Sequence, residues 1–142
     1  MGASSKHFSD HELACHHCGL NGCTQELVDG LEEFRARCGQ ALGYEAPVMV
    51  NSAYRCHVHN ASTPNAAKNS QHQEGTAADV HVPGMTAKEL YKVAETIPCF
   101  QHGGIGVAVQ QHYVHLDVRA TKARWCYDDS GRSCSWDRSL DT

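Results

Sequence analysis

The sequence predicts an α+β domain, because helix-type and strand-type patterns of apolar residues both occur within 142 residues. Residues 24–42 carry apolar side chains at steps of three or four, which is typical of a helix that packs on a core. Residues 77–82 and 112–118 alternate between apolar and polar side chains, which is typical of strands with one buried face. We expect a single domain over residues 1–142, in which residues 1–7 are flexible or foreign to the natural chain.

Capping residues mark where each predicted helix begins and ends. Ser9 opens a Ser-x-x-Glu capping box, so we expect a short helix to begin there. Thr24 is a favourable N-cap for the long helix, and Gly43 fits its C-terminal end. Thr86 opens a second capping box and begins a helix that Pro98 ends.

The remaining segments are assigned from composition and short patterns. Residues 47–51 are a strand candidate, whereas the polar residues 57–69 are predicted to form a long loop. Residues 103–109 are predicted to form a glycine-led strand that pairs, through a short turn, with the strand at 112–118. Residues 120–142 are predicted to form a polar, cysteine-containing tail.

Charge and hydropathy argue against several classes of partner. The formal net charge is −4 and there is no basic run, so we expect no binding to nucleic acid or to anionic membrane surfaces. No apolar run approaches a length of about 18 residues, which a membrane-spanning helix needs. The first residues also lack the apolar core of a signal peptide.

Eight cysteines are a high number for a chain of this length. An even number in a small, loop-rich chain favours disulfides and an oxidising compartment. Cys126 and Cys134 could close the tail into a loop, and several other cysteines could be buried thiols that pack like small apolar side chains. The eight are Cys15, Cys18, Cys23, Cys38, Cys56, Cys99, Cys126 and Cys134.

A second, structural zinc site is the alternative to disulfides near the N-terminus. The two-residue spacing between Cys15 and Cys18 fits one half of a zinc knuckle. No second close pair of cysteines follows, so we favour disulfides over this zinc site. The residues available to complete it are Cys23, Cys38, His16 and His17.

Three other residues form a candidate metal site with a different ligand set. His72 and Asp79 lie seven residues apart with Gly75 between them, and His115 lies on a later predicted strand. Asp79 and His115 can share one polar face if their strands join in one sheet. Two imidazoles and one carboxylate give zinc three protein ligands and leave a fourth position for water, which is typical of a catalytic zinc site.

Four short segments carry a recognisable signature: they read SAYRC at residues 52–56, SQHQEGTAAD at 70–79, GIGV at 104–107 and VHLDVR at 114–119. Together they resemble the zinc D-alanyl-D-alanine carboxypeptidase family of peptidoglycan peptidases, which is structurally related to the hedgehog signalling domain. The resemblance implies a small antiparallel sheet with helices packed on one side. It also implies that His72, Asp79 and His115 bind Zn²⁺, and that Arg55 contacts the carbonyl or carboxylate of the substrate.

The residue that would activate water departs from the family pattern. Members of that family often carry Glu or Asp three residues before the last zinc histidine, and this chain has His112 there. A histidine can act as a base near neutral pH, so His112 is our first candidate and Glu74 our second. Positions three apart lie on opposite faces of a strand, so His112 would need a bend in the chain. Asp117 is expected to support the site by hydrogen bonding.

The resemblance thus implies a zinc-dependent peptidase that hydrolyses peptide bonds of peptidoglycan stem peptides or crosslinks. It leaves open D,D- or L,D-type action, as a carboxypeptidase or an endopeptidase. One alternative is a catalytically weak, zinc-containing module that binds cell-wall peptides, and another is a structural zinc or disulfide domain. We expect a monomer that is secreted, periplasmic or delivered to the cell wall by a phage.

Overall fold

The computed structural model describes residues 2–62, 70–127 and 133–134, and in these residues six strands form one sheet. The strands are β1 (Met49–Ser52), β2 (Ala77–His81), β3 (Gly104–Ala108), β4 (Tyr113–Asp117), β5 (Ala123–Tyr127) and β6 (Ser133–Cys134). The helices are α1 (Asp10–Leu13), α2 (Gln25–Leu42), α3 (His57–Ser62), α4 (Ala87–Ala94) and α5 (Pro98–Gln101), with a one-turn 3-10 helix at Gln71–Glu74. The predicted α+β class is confirmed.

The sheet is mixed, although most of its pairings are antiparallel. The strand order is β1-β2-β4-β3-β5-β6, and β3 and β5 run parallel while every other neighbouring pair is antiparallel. The antiparallel sheet that was expected is present, with the one parallel pair β3 and β5 added to it. The parallel strand β5 lies in the segment that was predicted to be a polar tail. It has no alternating apolar pattern that would predict a strand, and its backbone hydrogen bonds to β3 hold it in the sheet.

One face of the sheet carries the hydrophobic core. Val80 of β2 and both Val114 and Leu116 of β4 are fully buried. Helices α4 and α5 contact β3 and β4, and α2 packs on α4 and α5 as a further layer. Because side chains alternate along a strand, the residues between these apolar ones point to the opposite face.

The predicted long helix and its caps are confirmed. Thr24 accepts a hydrogen bond from the backbone of Leu27, and Gly43 ends the helix with a φ of 82°. The capping box at Thr86 is also present. The helix that follows ends at Ala94, earlier than predicted. Pro98 does not end it but begins α5, because the N–H that proline lacks has no partner in the first turn of a helix. Among the helices in the described part of the chain, none has the length and apolar character to cross a bilayer.

The prediction of a loop throughout residues 57–69 is wrong for its first part. The predicted loop at 57–69 begins with the helix α3, which is too short to show an apolar period in the sequence; residues 63–69 lie outside the described residues. In the N-terminal segment, the backbone N–H groups of Gly2 and Ala3 donate to carbonyl oxygens of residues 21 and 23 at 2.9 Å. Ser5 in addition donates to the Glu32 carboxylate at 2.5 Å.

The expectation of disulfides is wrong for most of the cysteines. Six of them are thiols, namely Cys15, Cys18, Cys23, Cys38, Cys56 and Cys99. Cys23 and Cys38 pack in the hydrophobic core, where burial raises their pKa values to about 11 and about 12. Cys126 is disulfide-bonded, and its Cα pairs with that of Cys134 in the register of β5 and β6.

Candidate metal centre

The structure brings His72, Asp79 and His115 together. One nitrogen of each imidazole and one carboxylate oxygen all lie within 4.8 Å of one another. Asp79 Oδ1 is 3.4 Å from His72 Nε2 and 3.0 Å from His115 Nδ1. Both imidazoles are buried and Asp79 is half-buried, so the cluster opens to solvent on the side of the carboxylate. Such a set of donor atoms could hold one metal ion.

Two strands and one short helix position these side chains. Asp79 and His115 are Cα partners in the antiparallel register of β2 and β4, so they lie side by side on the face opposite the core. His72 lies in the 3-10 helix, whose first turn is capped by the hydroxyl of Ser70. Gly75 ends this helix with a φ of 73°, and a Cβ there would overlap the carbonyl oxygen of Gly22. This glycine lets the backbone bend between the helix that carries His72 and the strand that carries Asp79.

Hydrogen bonds fix the orientation of each imidazole. His72 Nδ1 donates to the carbonyl oxygen of Ala53 at 2.6 Å, which leaves its Nε2 facing Asp79. His115 Nε2 donates to Asp117 Oδ2 at 2.8 Å, which leaves its Nδ1 facing Asp79. Histidine metal ligands usually donate their second nitrogen in this way, so the donor set fits zinc.

The charges of the cluster are strongly coupled. Burial alone would raise the pKa of Asp79, but the neighbouring imidazoles outweigh it and hold that pKa far below its usual value. Burial alone would lower the pKa of His115, but hydrogen bonds to Asp117 and Asp79 raise it to about 9. The cluster thus attracts a positive charge at neutral pH. A divalent cation competes for that position with the proton, because it offers more charge to the same groups.

An ion pair supports His115 from behind. Asp117 is fully buried, and Arg119 donates to both of its carboxylate oxygens, at 2.9 Å and 2.7 Å. The backbone N–H of Gly104 donates to the same carboxylate at 2.9 Å. Burial alone would raise the pKa of Asp117, but His115 and Arg119 keep it well below its usual value. The Asp117 carboxylate is therefore fixed in position and can hold His115 in one orientation.

Aromatic side chains line the centre on the side of β5, and no motif in the sequence marks them. The Trp125 ring lies 5.0 Å from the His115 ring, and Gly106 of β3, the Cα partner of both residues, makes room for it. A Cβ at Gly106 would lie 2.5 Å from Trp125 Nε1. The rings of Tyr113 and Tyr127 lie 5.9 Å apart and extend this surface. A glycine inside a strand indicates that another group approaches the backbone closely, but the sequence does not say which group that is.

Arg55 is a buried cation close to the centre, not an ion-paired surface arginine. Its side chain is only 9% exposed in the fold, and its Nη2 donates to the Ser70 hydroxyl at 3.2 Å. Among the described residues, no acceptor lies within hydrogen-bonding distance of its Nε. Burial lowers the pKa of Arg55, and the Asp79 carboxylate counteracts that shift. A buried guanidinium with an unused N–H is suited to bind an oxygen atom of a ligand.

The two candidate bases are exposed residues that do not belong to the cluster. His112 is exposed in the turn that precedes β4, with a left-handed φ of 59°, so the chain does bend at this residue. Glu74 is exposed in the last position of the 3-10 helix. Within the described residues, neither side chain forms a hydrogen bond or an ion pair with His72, Asp79 or His115.

Comparison with known proteins bears on this geometry. Residues 6–117 match the family model of peptidase M15. Over 98 residues, or 66% of this chain and 52% of the relative, the sequence is 32% identical to the peptidoglycan L,D-endopeptidase MepK of Escherichia coli strain K12. The protein of the same name from Shigella flexneri matches with the same figures. The chain therefore spans about half the length of the curated relatives it matches.

We expect replacement of His115 by Ala to remove one zinc ion per chain, because it deletes a nitrogen donor that faces Asp79. Metal content after equilibrium dialysis against zinc measures this directly. The matched control is His102→Ala, which removes an exposed histidine outside the cluster and should leave the zinc content unchanged. Equal zinc content in His115→Ala and the wild type would contradict the assignment.

Proposed function

We propose, from the premise that the chain belongs to the peptidase M15 family, that it is a zinc-dependent peptidase acting on bacterial peptidoglycan. The observation that carries this proposal is the convergence of His72, Asp79 and His115, in which the Asp79 side chain stays 19% exposed to solvent. Family membership supplies the class of chemistry, and the cluster supplies a ligand set suited to it. The work of such an enzyme lies at the cell wall, in the periplasm or outside the cell, and we propose that it acts there as a monomer.

In this proposal the three clustered side chains hold Zn²⁺. A zinc ion bound there supplies Lewis acidity, which polarises the scissile carbonyl and makes water more acidic. His72 and His115 contribute neutral nitrogen donors, and Asp79 contributes the negative charge. Asp117 keeps the His115 Nε2–H bonded, so that Nδ1 stays free of its proton when the metal is present.

Arg55 is proposed to bind the oxygen of the substrate that gains negative charge. Its guanidinium is held by Ser70 and is already stripped of most water, so a hydrogen bond to an oxyanion is stronger there than in solution. The aromatic surface of Tyr113, Trp125 and Tyr127 offers flat contacts for the apolar parts of a peptide.

The bond that is cut is proposed to be of the L,D type. The support for this choice is that the relatives, which align over 98 residues, are named peptidoglycan L,D-endopeptidases. Carboxypeptidase action and D,D-type hydrolysis are the competing outcomes, and the masses of the products distinguish all three. A catalytically weak binding module is the second candidate, and it is favoured by the exposed His112 at the position where a carboxylate is usual in the family.

We expect the zinc-loaded protein to release new peptide fragments from purified peptidoglycan, because the centre would hydrolyse crosslinks or stem peptides. Liquid chromatography with mass spectrometry identifies the fragments and the bond that was cut. A chelator should abolish release, added zinc should restore it, and His115→Ala should release nothing. Retention of the protein on peptidoglycan without any product, with zinc bound, would instead establish the binding module.

Replacing Arg55 by Lys should lower kcat/KM about 100-fold, because lysine keeps the charge but loses the planar pair of donors. Steady-state kinetics on a defined muropeptide measure the effect, and metal analysis should show unchanged zinc. Arg37→Lys on the exposed face of α2 is the matched control and should behave like the wild type. A kcat/KM of Arg55→Lys within twofold of the wild type would rule out this role.

His112→Ala should lower kcat about 100-fold at neutral pH with zinc retained, because general bases contribute effects of this size. Glu74→Gln is the parallel variant, since glutamine keeps the shape and loses the basic oxygen. Near-normal turnover of His112→Ala together with a large loss in Glu74→Gln would transfer the role to Glu74. Near-normal turnover of both variants would exclude both residues.

A further inference from the structure

Three cysteine side chains meet at a second place, on the segment before α2 and the loop after β1. The sulfur atoms of Cys15, Cys18 and Cys56 all lie within 4.8 Å of one another. Cys15 is buried, Cys56 is half-buried and Cys18 is exposed, so the cluster lies at the surface with its base in the protein. All three are thiols, and the proposed peptidase chemistry uses none of them.

The backbone around Cys15 and Cys18 has the shape that a metal site needs. Gly19 follows the pair with a left-handed φ of 77°, and its N–H donates to the carbonyl oxygen of Cys15 at 2.9 Å. This turn directs the Cys18 side chain back towards Cys15. Tetrahedral zinc with zinc–sulfur bonds of about 2.3 Å places its sulfur ligands about 3.8 Å apart, which the observed separation approaches.

Backbone amides already point at the most buried sulfur. The N–H groups of His17 and Cys56 both donate to Cys15 Sγ, each at 3.4 Å. Two donors on one sulfur favour the negatively charged thiolate, which is the form that binds metals. A disulfide would not use this arrangement, because it joins two sulfur atoms and leaves the third thiol of the cluster outside the bond.

A nitrogen donor lies next to the three sulfur atoms. His17 Nδ1 lies 3.5 Å from Cys56 Sγ, at the edge of the three-cysteine cluster, and a rotation of its side chain would bring it to the other two sulfur atoms. Three thiolates and one imidazole are a common ligand set of structural zinc, in which all four positions belong to the protein.

We propose that Cys15, Cys18, Cys56 and His17 bind a second, structural zinc ion. This ion ties the N-terminal segment to the loop after β1, where the Tyr54 N–H already donates to the carbonyl oxygen of Leu13 at 3.2 Å. Cys56 directly follows Arg55, so the ion also anchors the backbone of that buried cation. The site is a separate one from His72, Asp79 and His115, and it stands whether or not the protein is a peptidase.

Cobalt substitution tests the proposal in the wild-type protein, purified under reducing conditions. Co²⁺ bound by thiolates gives an intense sulfur-to-cobalt charge-transfer absorption, which nitrogen and oxygen ligands do not give. We expect this absorption in the wild type and in His72→Ala, and its loss in Cys18→Ser. Cys99→Ser is the matched control, because it removes a thiol outside the cluster and should keep the signal.

Zinc content completes the test without any assay of activity. The wild type should bind two zinc ions per chain, and Cys18→Ser and His72→Ala should each lose a different one. Absence of charge-transfer absorption in the folded wild type would overturn the proposal, even if Cys18→Ser failed to fold. A disulfide among Cys15, Cys18 and Cys56, located by peptide mapping with mass spectrometry on protein purified without reductant, would also overturn it. If the wild type binds the zinc ion that depends on Cys18 but not the one that depends on His72, the peptidase proposal fails and this one stands.

Discussion

The pairing register of β2 and β4 is the constraint on which the centre depends. It sets Asp79 directly opposite His115, and their Cα neighbours along the strands, Val80 and Val114, are fully buried on the other face. A slip of one residue would turn the carboxylate into the core and the valines into solvent. Burial of these valines therefore determines where the charged groups lie, although the valines are on the face of the sheet opposite the metal centre.

The sequence predicts the strand part of this geometry and not the rest. Alternation along residues 77–82 and 112–118 is enough to place Asp79 and His115 on one face. The position of His72 depends on the contact of Gly75 with Gly22, two residues far apart in the chain, and no local pattern reports such a contact. The strand β5 was missed for a related reason, since its pairing with β3 is made by the backbone.

The cysteines show how a compositional rule can mislead. An even number of cysteines predicted crosslinks, yet Cys23 and Cys38 serve as small core side chains. Cys15, Cys18 and Cys56 converge from two segments that are far apart in the chain, since Cys15 and Cys56 are separated by 41 positions. The spacing of Cys15 and Cys18 is a recognisable pattern in the sequence, whereas only the fold shows that Cys56, in the loop after β1, lies beside them.

The contact between Trp125 and His115 makes the centre optically observable. An indole 5.0 Å from an imidazole senses the charge state of that ring and any ion attached to it. Gly106 keeps the two rings in contact, so the emission of this tryptophan should change when the centre is loaded or emptied. The fold thus carries its own fluorescent probe for occupancy, and binding can be followed in solution without a label.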